Sequence, residues 1–428
     1  MSASSLPRPS RRHAALFGFA CLALSAPAQA APSDLFAPET ASALVDLRLT
    51  AADGEGSWTD GGFGKARFGG DADENLRVRP IPAEADIIWQ PRFAWDLAGT
   101  VSVAAQQGQA DPVDLIEAFV TWKPVPRGAT RFSARAGLFW PPVSLEHEGA
   151  AWSVADMVTP SAINSWIGEE VKVAGVEATA AHEGQGGRIA ATLAIFGLND
   201  TAGTLLAFRG WAMHDVKAGA FGHQRLPPLN AFLTGGVQAP TTRPAIEIDN
   251  RPGFYAKLSW RPAEAPLLLE AFYYRNGGDP EAVTPRLQWG WDTQFWNVAA
   301  RLDLSENTRI IAQALTGSTE MGYEEAGHYW VETRFRSAFL RFSTDRGPVT
   351  LSGRVDLFGT REHGSEMGSV ESEDGWALTG AAAWTLSHKA KLIVEALHTA
   401  SDRGSRVRVG EDPRQTQTVF QTSLRLTL

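Results

Sequence analysis

The side chains best placed for chemistry are arginines and carboxylates that recur on one phase of alternating segments. Arg131 and Arg135 stand four apart within 130–139, so on an extended chain they share a face. Guanidinium forks in such a stripe bind phosphate or carboxylate bidentately. The same phase elsewhere carries Arg48, Arg92, Arg188, Arg301, Arg309, Arg354 and Arg425. Facing them are Asp46, Glu84, Asp86, Asp96, Glu117, Glu270, Asp303, Asp356 and Glu395. The two signs balance, so these groups either select ions weakly or pair with one another and stiffen a wall. A second cluster, Glu146, His147, Glu148 and Asp156, falls in 140–168.

Covalent and metal chemistry find no such support. Ser144, Glu146 and His147 share one Pro-flanked loop, whereas a nucleophile and its base need positioning from separate strands. His182-Glu183 has no partner at ligand spacing. Gly61-Gly62 and Gly69-Gly70 precede no helix that would complete a phosphate cradle. A single Cys, Cys21, excludes a disulfide scaffold. The expectation is a non-enzyme with no cofactor and no metal.

The elements that carry these side chains alternate with period two. In 84–97, Ala85, Ile87, Trp89, Pro91, Phe93, Trp95 and Leu97 share one face, and Glu84, Asp86, Ile88, Gln90, Arg92, Ala94 and Asp96 share the other. Fourteen residues exceed an ordinary sandwich strand and are long enough to cross a bilayer when tilted. Comparable segments are 43–50, 100–106, 113–123, 130–139, 169–180, 188–197, 252–261, 267–275, 292–304, 308–316, 331–343, 349–358, 375–386, 391–400 and 416–428, sixteen in all. Only 331–343 leaves its faces unresolved, with Arg and Phe in both phases. Connections alternate between short turns and long segments rich in Gly, Pro and charge, such as 51–83, 140–168, 198–251 and 317–330. An even strand count with that alternation predicts an all-β transmembrane antiparallel β-barrel with short periplasmic turns and long extracellular loops. No apolar run reaches the ~18 residues of a spanning helix.

Composition agrees with that reading. Hydrophobic residues make up 44% of 428, with 15 Trp against 5 Tyr. Trp95, Trp122, Trp260, Trp384, Trp376 and Trp330 fall near strand ends, where amphipathic rings favour the headgroup boundary. Arg8, Arg11 and Arg12, an apolar stretch and Ala28-Gln29-Ala30 read as a signal peptide, 1–30, cleaved after Ala30. Cleavage would remove those three charges and Cys21, taking the formal charge from −9 to −12. That balance argues against nucleic acid as a partner. A short periplasmic segment, 31–42, leaves no room for an N-terminal plug, and 43–428 forms the barrel. The last segment ends on its apolar phase with Phe420, Leu424, Leu426 and Leu428, like the C-terminal signal that barrel-assembly machinery reads.

Glu117-Ala118-Phe119-Val120, then 137–146 (Gly-Leu-Phe-Trp-Pro-Pro-Val-Ser-Leu-Glu) and Ile167-Gly168, resemble the phosphate-selective porin O and P family. The resemblance implies a sixteen-stranded, homotrimeric porin of the bacterial outer membrane, surrounded by its lipid. It also implies that 140–168 folds inward as a constriction loop bearing Glu146, His147, Glu148 and Asp156. Pore-lining candidates are Arg92, Arg131, Arg135, Arg301, Arg354 and Glu117. The expected function is passive diffusion of small hydrophilic solutes, biased toward anions such as phosphate. The alternative is a structural or adhesive barrel whose long loops bind a partner.

Overall fold

The computed structural model describes residues 35–228, 237–366 and 371–428; the expected signal peptide, with Cys21, lies outside the described residues. Alternating residues place one apolar and one mixed face on each strand, and sixteen such strands close into a barrel. They are β1 (Ala41–Ala52), β2 (Arg77–Trp89, extended by Arg92–Ala94), β3 (Leu97–Gln106), β4 (Val113–Trp122), β5 (Thr130–Phe139), β6 (Val173–Gly184), β7 (Gly187–Gly197) and β8 (Gly253–Arg261). Then follow β9 (Leu267–Arg275), β10 (Asp292–Ser305), β11 (Thr308–Glu325), β12 (His328–Arg346), β13 (Val349–Glu362), β14 (Glu373–Ser387), β15 (Ala390–Arg403) and β16 (Arg414–Thr427). Each pairs antiparallel with the next, and β16 returns to β1, with Leu44 opposite Thr427 and Ala52 opposite Val419. Closure leaves no unpaired sheet edge, as a hydrocarbon environment requires.

The apolar phase faces outward: Ile87, Leu193, Ile195, Val298, Leu340 and Leu357 are exposed, while inner-phase neighbours such as Asp86, Asn297, Phe339 and Asp356 are buried. Trp95, Trp122, Trp260, Trp296, Trp376 and Trp384 also stand exposed on the outside. Trp330 instead packs with Trp289 and Tyr323 in an extracellular aromatic cluster.

Several boundaries differ from the sequence expectation. The expected loop 317–330 is mostly strand: β11 and β12 run on to a two-residue turn at Ala326-Gly327. Its glycines serve the hairpin, since Gly322 sits at φ 96° where the register shifts between Met321 and Glu324. The sixth strand begins at Val173, not at Glu169. Glu169 and Glu170 instead end a helix, α1 (Ala162–Glu170), whose N-cap Ser161 accepts from the Asn164 N–H. Strand β2 begins at Arg77, seven residues before the expected start, and turns at 185–186 and 388–389 are tighter than expected.

The extracellular connections are L1 (53–76), L2 (107–112), L3 (140–172), L4 (198–252), L5 (276–291), L6 (326–327), L7 (363–372) and L8 (404–413). L3 and L4 carry helices, α1 and α2 (Thr204–Phe208), and every residue of both is buried.

Candidate functional site in the barrel lumen

The inner wall is not uniformly polar. Phe139, Phe196, Tyr255, Phe272, Tyr274, Phe295, Phe335, Phe339 and Phe358 point inward and pack with α1 and with Leu206, Trp211 and Met213 of L4. Trp166 of α1 is the centre, 5.3 Å from both Phe295 and Phe335 and 6.0 Å from Trp211 (ring centroids). This apolar core draws buried residues from every strand except β2, whose half-buried Ile81 packs against it. Buried charge gathers on the β16–β1–β2 side, at Asp46, Arg48, Glu84, Asp86 and Arg425, and around the core's margin.

L3 is held inside the barrel by side chains from across the wall. Glu395 of β15 accepts from the Val158 and Thr159 N–H groups. Arg354 of β13 donates to the Thr159 and Pro160 carbonyls at 2.7 and 2.9 Å, and pairs with Asp356 at 2.7 Å and Glu146 at 3.3 Å. Glu146 also accepts from Ser161 N–H and the Asn164 amide. Asp156 is bound by Arg341, by Arg309 at 2.9 Å and by the Ser352 hydroxyl at 2.9 Å. Arg425 of β16 donates to the Val154 carbonyl.

Its tip carries an aromatic column. His147 stacks on Trp152 at 3.5 Å, Trp152 on Trp140 at 4.1 Å, and the Lys172 ammonium lies 3.2 Å from the Trp140 ring centre. Ala151 and Trp152 both adopt φ 53°, a left-handed conformation costly for residues with a Cβ. The Trp152 ring also rests against Gly168, where a Cβ would lie 2.7 Å from it. The Ser144 hydroxyl lies 2.8 Å from His147 Nδ1 while accepting from the Glu146 and His147 N–H groups, so it shapes the turn.

L4 is fastened by two charges of opposite sign. Asp215 pairs with Arg48 of β1 and, at 3.0 Å, with Arg67 of L1. Lys217 pairs with Glu84 and, at 3.0 Å, Asp86 of β2, and donates to the Ala151 carbonyl of L3 at 2.7 Å. Burial works against both charges, yet Arg48 and Arg67 hold the Asp215 carboxyl well below its usual range. Likewise Glu84 and Asp86 hold the Lys217 ammonium above its own. Arg209 and His214 clamp Glu169, outweighing burial and holding it at about 2. Its neighbour Glu170 has no cation: burial drives it up to about 8, against hydrogen bonds from Trp166 Nε1 and Leu205 N–H. L1 joins the same assembly through the buried pairs Lys65–Glu373 and Arg406–Glu55.

What remains open is small at mid-height and wider below. A cavity of about 10 Å³ is bordered by Asp46, Glu84, His147, Trp152, Asp215, Lys217 and Arg425. Toward the periplasm a space of about 820 Å³ is lined by Arg92, Asp96, Thr100, Thr121, Lys123 and Glu39. Another of about 270 Å³ holds Arg188, Ser259, Arg261 and Glu270.

The sequence candidates fall into distinct environments. Arg92 and Arg131 are exposed on the periplasmic side and make no ion pair among the described residues. Arg135 is bidentate to Glu177, which also accepts from Tyr255, and lies 4.0 Å from the Phe139 ring centre. Arg301 bridges Asp303 and Glu148. Glu117 neighbours Lys172 and Arg135. Arg354, Glu146 and Asp156 are enclosed in the L3 attachment. The L4 clasp was missed from sequence; the signal lay in Lys scarcity, since three of seven Lys (Lys65, Lys172, Lys217) are buried within the loops.

Asp200, Glu247 and Asp249, at the two ends of L4, place carboxylate oxygens within 4.8 Å of one another. Each already accepts backbone N–H groups: Ile248 for Asp200, Leu198 and Asn250 for Glu247, Arg251 and Asp279 for Asp249. They close the base of the loop.

The architecture is that of an outer-membrane porin barrel. The Acinetobacter baumannii outer membrane channel DcaP is similar at a TM-score of 0.55 and 10% identity, covering 91% of this chain and 98% of that one. An anion-selective porin from Comamonas acidovorans is similar at 0.52 and 10% identity, over 91% and 99%. A loop L8 deletion mutant of OmpT, an outer membrane protein of Vibrio cholerae, reaches 0.51 at 8% identity, over 91% and 99%. No protein-family model and no curated protein sequence matches the chain.

Proposed function

We propose that the chain is a passive outer-membrane channel for small hydrophilic solutes, with a bias toward anions such as phosphate or carboxylates. The observation that carries this reading is the charged seam on β1, β2 and β16, where Asp46, Glu84, Asp86 and Arg425 meet Asp215 and Lys217 of L4 and Arg48. Along it, Asp46, Glu84, Asp215, Lys217 and Arg425 border a cavity of about 10 Å³, and L4 meets L3 there through Lys217 and the Ala151 carbonyl. The unpaired periplasmic guanidinium groups of Arg92 and Arg131 support the anion bias, as does the likeness to an anion-selective porin. The loop 140–168 acts as the constriction, and the resemblance to the phosphate-selective porins extends the reading to a homotrimer.

Planar-bilayer recording of the refolded chain tests this. Stepwise current, with a salt-gradient reversal potential on the anion side, is the expected result. Absence of any steps would assign the barrel a structural or adhesive role.

A further inference from the structure

We propose that the outer wall at β11–β14 carries a docking site for a phosphorylated, multiply acylated glycolipid of the outer leaflet. The site joins a guanidinium cluster to an apolar groove. Arg334 of β12 lies directly opposite Arg361 of β13, and Arg336 lies two residues along the same outward face, opposite Gly359. Like charges opposed across a ladder repel, so the cluster needs anions. Its nearest carboxylate is Asp374, to whose two oxygens Arg361 Nη2 donates at 2.9 and 2.7 Å; Asp402, opposite Asp374, is taken by Arg414 at 3.1 Å. Arg336 approaches Asp374 only to 3.9 Å, and its side chain is 70% exposed. Glu320 and Glu332 face each other on the far, extracellular side of Arg334.

The height of the cluster suits a lipid phosphate. Arg336 registers with Thr316 and Thr316 with the exposed Trp296, so the cluster lies in the cross-strand row of a girdle tryptophan. On the periplasmic side of it, the next three outward residues of β12 are Ala338, Leu340 and Phe342. A groove of about 890 Å³ begins at Arg336 and Asp374 and runs over Ala314, Ala338, Leu357 and Trp376. It shares Ala314 and Ala338 with a second groove of about 590 Å³, which continues past Ala312 and Ala300 to Trp260. Small residues thus leave an apolar trough that starts at Arg336, whose neighbours Arg334 and Arg361 stand just above it, and descends through the membrane. Phosphate accepts forked hydrogen bonds from Arg, and acyl chains fill the trough. That charge complementarity favours an anionic lipid over a second copy of the chain.

The test uses the full chain refolded in detergent, with bisphosphorylated lipid A as probe and native mass spectrometry as readout. Wild type is expected to retain the lipid. The R334Q/R336Q/R361Q variant should bind it about 100-fold more weakly, at roughly 1 kcal/mol for each cation near a charged lipid surface. A314F/A338F keeps the arginines and fills the trough, and it too should lose retention. Heat-modifiable gel migration verifies that each variant is folded. Dephosphorylated lipid should bind wild type as weakly as the triple variant binds the intact lipid, and excess inorganic phosphate should leave acylated lipid bound. Equal retention by wild type and both variants would overturn the proposal. So would self-cross-linking through A338C, which would give the groove to a second copy. Conductance is a separate readout: these outward substitutions should leave it unchanged.

Discussion

At the scale of single residues, the lumen shows how differently two arginines with the same spacing on the same strand behave. Arg131 is solvated, whereas Arg135 is locked to Glu177. Arg131→Ala should therefore shift the reversal potential toward cations without changing stability, and an unshifted potential would place Arg131 outside the ion path. Lys217 carries a heavier structural task, because Glu84 and Asp86 lie beside it and share its one ammonium. Lys217→Met keeps the stem and leaves two buried carboxylates uncompensated. Removing one partner of a buried pair costs about 3–5 kcal/mol. The variant should convert to its unfolded gel form at a lower temperature than wild type, and an unchanged transition would show that the clasp contributes nothing to stability. Neither Asp215 nor Lys217 was legible as a site in the sequence, because their partners Arg48, Arg67, Glu84 and Asp86 come from distant strands and loops that only closure brings together.

At the scale of elements, alternation was legible wherever one face meets lipid, since the hydrocarbon favours apolar residues on the outward positions. The inner face is under no such rule. Its aromatic residues, Phe295 and Phe335 among them, sit on the phase expected to be polar because α1 and L4 supply an apolar partner inside the barrel. That is also why 331–343 could not be resolved from sequence: Phe335 and Phe339 face the core, while Arg334 and Arg336 face outward. Helix α1 was hidden for a related reason, being nine residues inside a long loop and buried on all sides, with no amphipathic stripe to betray it. It docks against α2 through Glu170, which accepts from Leu205 N–H. With L4 undocked, Glu170 titrates near its ordinary 4.5, and when docked it titrates near about 8. A raised carboxyl favours the docked state fully below the lower value, and that contribution is lost as pH rises through the higher one. Amide exchange at 205–210, corrected for intrinsic rate, should therefore show protection declining from about pH 5 to pH 9. In Glu170→Gln the protection should be flat, and a decline of equal size there would assign the dependence to another group.

At the scale of the whole molecule, the barrel and its contents are separable in a way that makes the channel reading testable. The sixteen-strand ladder closes through β1 and β16 without any residue of 204–222, whereas the extracellular half of the lumen is filled by Trp211, Met213 and the Asp215–Lys217 clasp. Closure satisfies the backbone by itself, so the wall should tolerate loss of this packing even though the ion pairs at Arg48, Glu84 and Asp86 are lost with it. Replacing 204–222 by a Gly-Ser linker of equal length keeps the span and removes the obstruction. The refolded variant should still show heat-modifiable migration, and its single-channel conductance should rise several-fold over wild type. If conductance stayed at the wild-type value, the conducting path would not pass between L4 and β1–β2, and the charged seam would be part of the wall rather than of the pore.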